Sequence, residues 1–157
     1  MKIGLIIYSL SNHTLSVANK LKENLALAGQ EVILEKIEII EPAVLNNEDA
    51  PLKSKPAATP YDVIVFGSPV RGGVLPPPMK KYFEQVDSLA GKKVAILVTG
   101  FFPAKWGRNQ VTAQMIEILE GKGAQICGQG SVGWFSLNRK QQIAKAVNSL
   151  VNCLEKL

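Results

Sequence analysis

Cysteine and histidine are scarce in this chain, and their scarcity removes whole classes of chemistry. Only Cys127 and Cys153 occur among 157 residues, far apart and in no metal-ligand or redox spacing. They read as two packed thiols rather than a disulfide. His13 is the sole histidine. Neither a metal cluster nor a nucleophile–base constellation emerges, so hydrolase and metalloenzyme functions fit poorly. Long apolar runs are missing too. No stretch approaches the roughly 18 residues that crossing a bilayer requires, which argues against membrane insertion. The N-terminus, Met1-Lys2-Ile3-Gly4-Leu5, lacks a signal-peptide cleavage pattern and runs straight into a core strand, so a cytoplasmic location is expected. Internal repeats are absent. The formal net charge is +5, which could serve nucleic acid, anionic lipid or an acidic partner. The basic residues are scattered, however, with Lys53/Lys55, Lys80/Lys81 and Lys92/Lys93 the densest groups. Without a basic stripe interleaved with aromatics, nucleic-acid binding is not expected.

What is present is an alternation of strand and helix patterns along one domain of residues 1–157, with 46% hydrophobic and 20% charged residues. Ile3–Tyr8 is a continuous apolar run suited to a strand buried on both faces. Leu15–Ala28 places Val17, Ala18, Leu21, Leu25 and Ala28 on one helical face, with Gly29 as a stop signal. Val32–Ile37 reads as a shorter strand near a sheet edge. Glu41–Pro60 is long for a plain connection, and a short helix over Ala43–Asn47 is expected inside it. Asp62–Gly67 is the clearest strand. Pro76-Pro77-Pro78 then sets the first turn of a helix running to about Leu89. Lys93–Val98 is a fourth strand, followed by a helix from about Asn109 to Gly121. Ala124–Val132 is a fifth strand, bent at Gly128 and Gly130. Asn138 caps a last helix whose buried stripe is Ile143, Val147, Leu150, Val151 and Leu154.

Strand–helix units joined by right-handed crossovers predict an α/β fold of three layers: a five-stranded parallel sheet, order 2-1-3-4-5, with helices on both faces. Ligands in such sheets sit beyond the carboxyl ends of the strands where the order reverses. Three loops leave those ends carrying small, polar or aromatic residues: Ser9–Thr14, Ser68–Gly73 and Thr99–Trp106. The first, Ser9-Leu10-Ser11-Asn12-His13-Thr14, joins a buried strand to a helix N-terminus. Orphan N–H groups and the helix dipole both favour an anion there. A plain helix cap by Ser11 or Asn12 explains one polar side chain, not four in six positions.

These residues resemble the flavodoxin-type FMN-binding family over essentially the whole chain. The first loop is similar to the family's phosphate loop, Ser/Thr-x-Thr/Ser-Gly-Asn-Thr/Ser, with Ser9, Ser11 and Thr14 matching. Asn12 stands where the family has glycine and His13 where it has asparagine; asparagine is the side chain best able to hold a left-handed backbone there. The run Asp62-Val63-Ile64-Val65-Phe66-Gly67-Ser68-Pro69 is similar to the family's third strand and following loop. The resemblance implies FMN as cofactor, with Ser9, Leu10, Ser11, Asn12, His13 and Thr14 around its phosphate. His13 either donates to the phosphate or is a surface side chain. Ser68, Pro69, Val70, Arg71, Gly72 and Gly73 would lie along the ring. There a glycine-flanked peptide can turn its carbonyl at low conformational cost; the bland alternative is that Gly72 and Gly73 merely form a turn. Arg71 faces either the ring or solvent. Thr99, Gly100, Phe101, Phe102 and Trp106 would supply the ring's edge and flat apolar walls. Trp134 and Phe135 read as core or surface cover.

The implied function is electron transfer, as a carrier between redox partner proteins, acidic ones given the chain's charge, or as an FMN-dependent NAD(P)H oxidoreductase acting on a small-molecule acceptor. Flavodoxins are typically acidic, and this chain is basic, which should raise the potential of a reduced anionic ring. Pro69–Gly73 has no aromatic to cover one ring face, which leaves room for a nicotinamide or quinone. A cofactor-free or nucleotide-sensing domain on the same scaffold is the non-redox alternative.

Overall fold

The computed structural model describes residues 1–40 and 51–157. The helix expected over Ala43–Asn47 lies outside the described residues. Seven strands and four α-helices follow in the order β1 (Lys2–Ile7), α1 (His13–Leu27), β2 (Glu31–Lys36), β3 (Glu38–Ile39), β4 (Leu52–Ser54), β5 (Val63–Pro69), α2 (Pro77–Gln85), β6 (Lys93–Gly100), a 3-10 turn (Ala104–Trp106), α3 (Arg108–Gly121), β7 (Gln125–Gly133) and α4 (Arg139–Glu155). Five of the strands form one parallel sheet ordered β2-β1-β5-β6-β7. With the small β3–β4 pair set aside, this is the expected order 2-1-3-4-5.

Strand alternation divides the core into two apolar layers. On one face Ile6, Ile64, Phe66, Ile96 and Val98 pack with Met79, Tyr82 and Phe83 of α2 and Val111, Met115 and Leu119 of α3. On the other, Leu5, Ile7, Val65, Ala95 and Leu97 meet Val17, Leu21 and Leu25 of α1 and Val147, Leu150 and Leu154 of α4. Each fully buried Leu, Ile or Phe contributes about 1.5–3 kcal/mol. Central strands therefore read as unbroken apolar runs, whereas edge strand β2 keeps its side chains partly exposed.

Several expectations are corrected. The antiparallel pair β3–β4 had no signal in the sequence, because strands of two and three residues carry no measurable periodicity. Helix α2 stops at Gln85 rather than near Leu89. Val86 turns into extended backbone at φ −70°, ψ 147°, so that Leu89 can bury its side chain and donate its N–H to the Lys122 carbonyl at 3.0 Å. The bend in β7 is a bulge at Cys127: Val94 pairs with Ile126, but Ala95 pairs with Gly128. Asn138 holds the N-cap position of α4 without a side-chain cap bond. In the α4 stripe Ala146 is buried, and Ile143 and Val151 are only half-buried. Cys127 and Cys153 are free thiols, the second donating to the Cys127 carbonyl at 2.6 Å. Burial, with Cys153 beside it, pushes the Cys127 thiol up to about 12.

Candidate functional site

At the carboxyl ends of β1, β5 and β6 the three predicted loops enclose a single cavity of about 540 Å³, within the range of small-molecule and cofactor sites. Direct bonds hold the loops together. Thr14 at the start of α1 and Thr99 near the end of β6 join hydroxyls at 2.8 Å. Val70 donates its N–H to the Thr99 carbonyl at 3.0 Å. Gly107 lets the last two loops close up: a Cβ there would meet Val70 Cγ1 at 2.7 Å and Gly73 Cα at 3.3 Å.

The first loop turns through Asn12 at φ 64°, the only described non-glycine residue with positive φ. That conformation lifts the chain over the open end of α1. Ser9 Oγ accepts from the Leu15 N–H at 3.4 Å, and Ser16 N–H bonds the Asn12 carbonyl at 2.9 Å. The amides just ahead of them stand at the unpaired end of the helix, where an anion is favoured. Leu10, Ser11 and His13 line the cavity.

The β5 loop ends in a tight hairpin. Arg71 and Val74 exchange two N–H···O bonds of 3.1 Å across Gly72 (φ 57°) and Gly73 (φ 77°), the pair of positive φ values that a two-residue hairpin requires. Pro69, Val70, Arg71, Gly72 and Gly73 all reach the cavity. After β6, Thr99, Gly100, Phe101, Phe102 and Trp106 form the facing wall, with Pro103 added. Phe102 and Trp106 are 64% and 61% exposed, so their rings stand as an open rim instead of closing on the core.

Four predicted site residues do not line the cavity. Ser9 is engaged with Leu15, and Asn12 serves through its backbone. Thr14 is 1% exposed, with its hydroxyl directed at Thr99. Ser68 is fully buried and donates to the Pro69 carbonyl at 2.9 Å.

Two neighbours escaped the sequence reading. Trp134, expected as cover, stacks on His13 with ring centres 4.1 Å apart and planes 14° apart. Phe101 meets the same imidazole edge-on at 5.1 Å, and Arg139 lies over Trp134 at 4.8 Å. Burial, then the nearby Arg139 charge, lowers the His13 pKa. The other is Arg108, the first residue of α3, which is buried and lines the cavity. A signal for the basic character of this end was available: no Asp or Glu occurs between Asp62 and Glu84, between Asp87 and Glu117, or between Glu120 and Glu155. Among the described residues none that lines the cavity is acidic, and none of the four helices has an acid in its first turn. The site face is cationic while carboxylates collect elsewhere.

The site suits FMN. It joins amides at a helix end for a phosphate, a positive-φ turn that opens them, flat apolar walls for a ring, and a carboxylate-free lining for an anionic ligand. Among the described residues there is no group of three or more His, Cys, Asp or Glu that could hold a metal ion.

Comparison with known proteins agrees. The family described as Flavodoxin domain matches residues 5–128. Oxidised Flavodoxin 2 from Bacillus cereus is similar at TM-score 0.72 and 26% identity, covering 100% of both chains. Oxidised Flavodoxin 1 from the same organism follows at TM-score 0.68 and 19% identity, covering 100% of this chain and 99% of that one. A curated relative, NAD(P)H dehydrogenase (quinone) 3 of Rhizobium meliloti (strain 1021), is 24% identical over 137 residues, 83% of this chain. The chain spans 57% of that relative's length.

Proposed function

The chain belongs to the flavodoxin family, as an FMN-binding protein of that type, and from this premise we propose that it is a carrier passing electrons between redox proteins with acidic docking faces. The observation that carries the proposal is the cavity itself: three strand-end loops converge on one space with aromatic walls and, among the described residues, no carboxylate.

Bound FMN would supply one- and two-electron acceptance, and the chain's part is to hold and tune it. The α1 end, through Leu10, Ser11, His13 and the loop amides, takes the phosphate. Val70 to Gly73 take one side of the ring, with Gly72 and Gly73 giving their hairpin peptide room to present a carbonyl or an N–H. Phe101, Phe102 and Trp106 take the other. Exposed Phe102 and Trp106 lie in the same loop as Lys105, and exposed Phe135 lies in the turn just ahead of Arg139 and Lys140, the first residues of α4. Apolar rings flanked by cations suit a partner surface bearing an apolar centre and carboxylates, and opposite charges speed such encounters. Among the described residues no helix is long and apolar enough to cross a membrane. The proposal places residues 1–157 as one domain working in the cytoplasm.

The second reading is an FMN-dependent NAD(P)H oxidoreductase delivering electrons to a quinone or flavin. It is favoured by the open rim, which leaves access to the ring, and by the similarity to a quinone dehydrogenase.

Purified protein is expected to be yellow, or to quench added FMN stoichiometrically. Failure to bind FMN would refute both readings. Adding NADPH without a partner protein separates them: slow bleaching supports the carrier, whereas turnover on a quinone establishes the reductase.

A further inference from the structure

Arg108 is a buried cation without a counter-charge among the described residues. Only 8% of its surface remains exposed. Nη1 donates to Ser131 Oγ at 2.6 Å, while Nε is buried with no hydrogen-bond partner. Among the described residues no carboxylate forms an ion pair with this guanidinium. Removing an ion from water costs several kcal/mol even after relaxation, and arginine cannot escape the cost by losing its proton.

The side chain nevertheless has a prepared path. A Cβ at Gly100 would meet Arg108 Cγ at 3.0 Å and Val70 Cγ2 at 3.3 Å, and one at Gly133 would meet Nη2 at 2.9 Å. The glycines at the ends of β6 and β7 thus leave the space that the arginine occupies. Its stem lies against Gly100, beside Val70, on the cavity wall, and its guanidinium reaches Ser131 and Gly133 of the neighbouring strand β7, at the end assigned above to the ring and not at the phosphate loop that follows β1.

We propose that Arg108 is a counter-charge for the reduced ring of bound FMN, strengthening binding of the reduced form over the oxidised form and so raising the reduction potential. Two electrons and one proton, all from the external donor, leave the ring with one additional negative charge. A desolvated guanidinium held in the wall at β7 is attractive to that charge and nearly indifferent to the neutral oxidised ring. The inference rests on the FMN reading and extends it: a site built this way selects the reduced cofactor.

The test measures dissociation constants for oxidised and for dithionite-reduced FMN under anaerobic conditions, with the midpoint potential from equilibration against a reference dye, in wild type, Arg108→Gln and Arg108→Lys. Arg108→Gln is expected to lose affinity for reduced FMN at least tenfold more than for oxidised FMN, a fall of about 30 mV for a two-electron couple. Arg108→Lys, which keeps the charge, should recover most of that loss. Gly133→Ala, whose new methyl displaces the guanidinium tip, is expected to shift the potential in the same direction, and it serves where Arg108→Gln folds poorly. Equal weakening of both redox forms would make Arg108 merely structural and overturn the proposal. Lost discrimination between FMN and riboflavin, at an unchanged potential, would put the phosphate against Arg108 and overturn it equally. Wild-type protein that binds neither form refutes the FMN reading itself, an outcome distinct from either.

Discussion

Replacing Thr14 with valine keeps the side-chain shape and deletes one hydroxyl of the pair that ties the first loop to β6. Thr14 and Thr99 are each 1% exposed, with Oγ1 atoms 2.8 Å apart. The surviving hydroxyl of Thr99 would lose its partner in a place that water scarcely reaches, a loss of about 1–3 kcal/mol. In a chain of this size each kcal/mol lowers Tm by about 2–4 °C, so a loss of about 2 kcal/mol corresponds to about 4–8 °C. Thr99→Val should cost a similar amount. The double variant leaves no orphan and should lie within about 1 kcal/mol of wild type, since replacing both partners by apolar groups of the same shape is nearly neutral. Urea unfolding of the four proteins, followed by far-ultraviolet circular dichroism, gives the interaction energy directly. Additivity within about 0.5 kcal/mol would refute the buried pair. The same variants carry a functional consequence. Because the Thr14 hydroxyl points at Thr99, Thr14→Val should weaken FMN and riboflavin to a similar degree. A loss confined to FMN would return that hydroxyl to the phosphate.

Gly107→Ala should be destabilising by about 1–3 kcal/mol, because φ is 151° and the new methyl would sit 2.7 Å from Val70 Cγ1; cofactor affinity should fall with it. Wild-type stability and FMN binding in that variant would contradict the loop packing. His13, with a folded-state pKa below the ordinary 6.5, gives a pH test whose sign is fixed by linkage. The unfolded chain binds the proton more readily, so the contribution is complete above pH 6.5 and is lost as pH falls through the lowered folded value. The cofactor-free protein should therefore show a urea midpoint that drops from pH 7.5 to pH 5, with a smaller drop in His13→Gln. An identical pH profile in the variant would remove His13 as the cause.

The fold was legible because its signals are physical and local. Val63–Phe66 is unbroken by polar residues since both of its faces meet helices, and Pro77 starts α2 because its missing N–H is an orphan there in any case. Asn12 could be singled out as the residue to occupy a left-handed turn, and it does so at φ 64°. The misses have equally definite causes. Leu89 fits a helical pattern, but the chain leaves the helix at Val86 and Leu89 bonds to Lys122, more than thirty residues later. Trp134 looked like cover because nothing in its own segment points to His13, which lies about 120 residues earlier yet stacks on it. Arg108 sits two residues beyond Trp106, the end of the loop that was identified. Its burial depends on Gly100 and Gly133 leaving room on two different strands.

By itself the sequence determined the helices, the buried strands and the three loops that carry polar and aromatic residues, because periodicity, turn residues and helix starts act over a few neighbours, while the family and its strand order came from the resemblance of two loop motifs. The tertiary structure alone decided which hydroxyls face inward, which aromatic meets the histidine, and that a cation is buried in the wall with no acid opposite among the described residues. Those facts depend on contacts between segments far apart in the chain, where no local preference reaches and only the closing of the sheet brings the groups together.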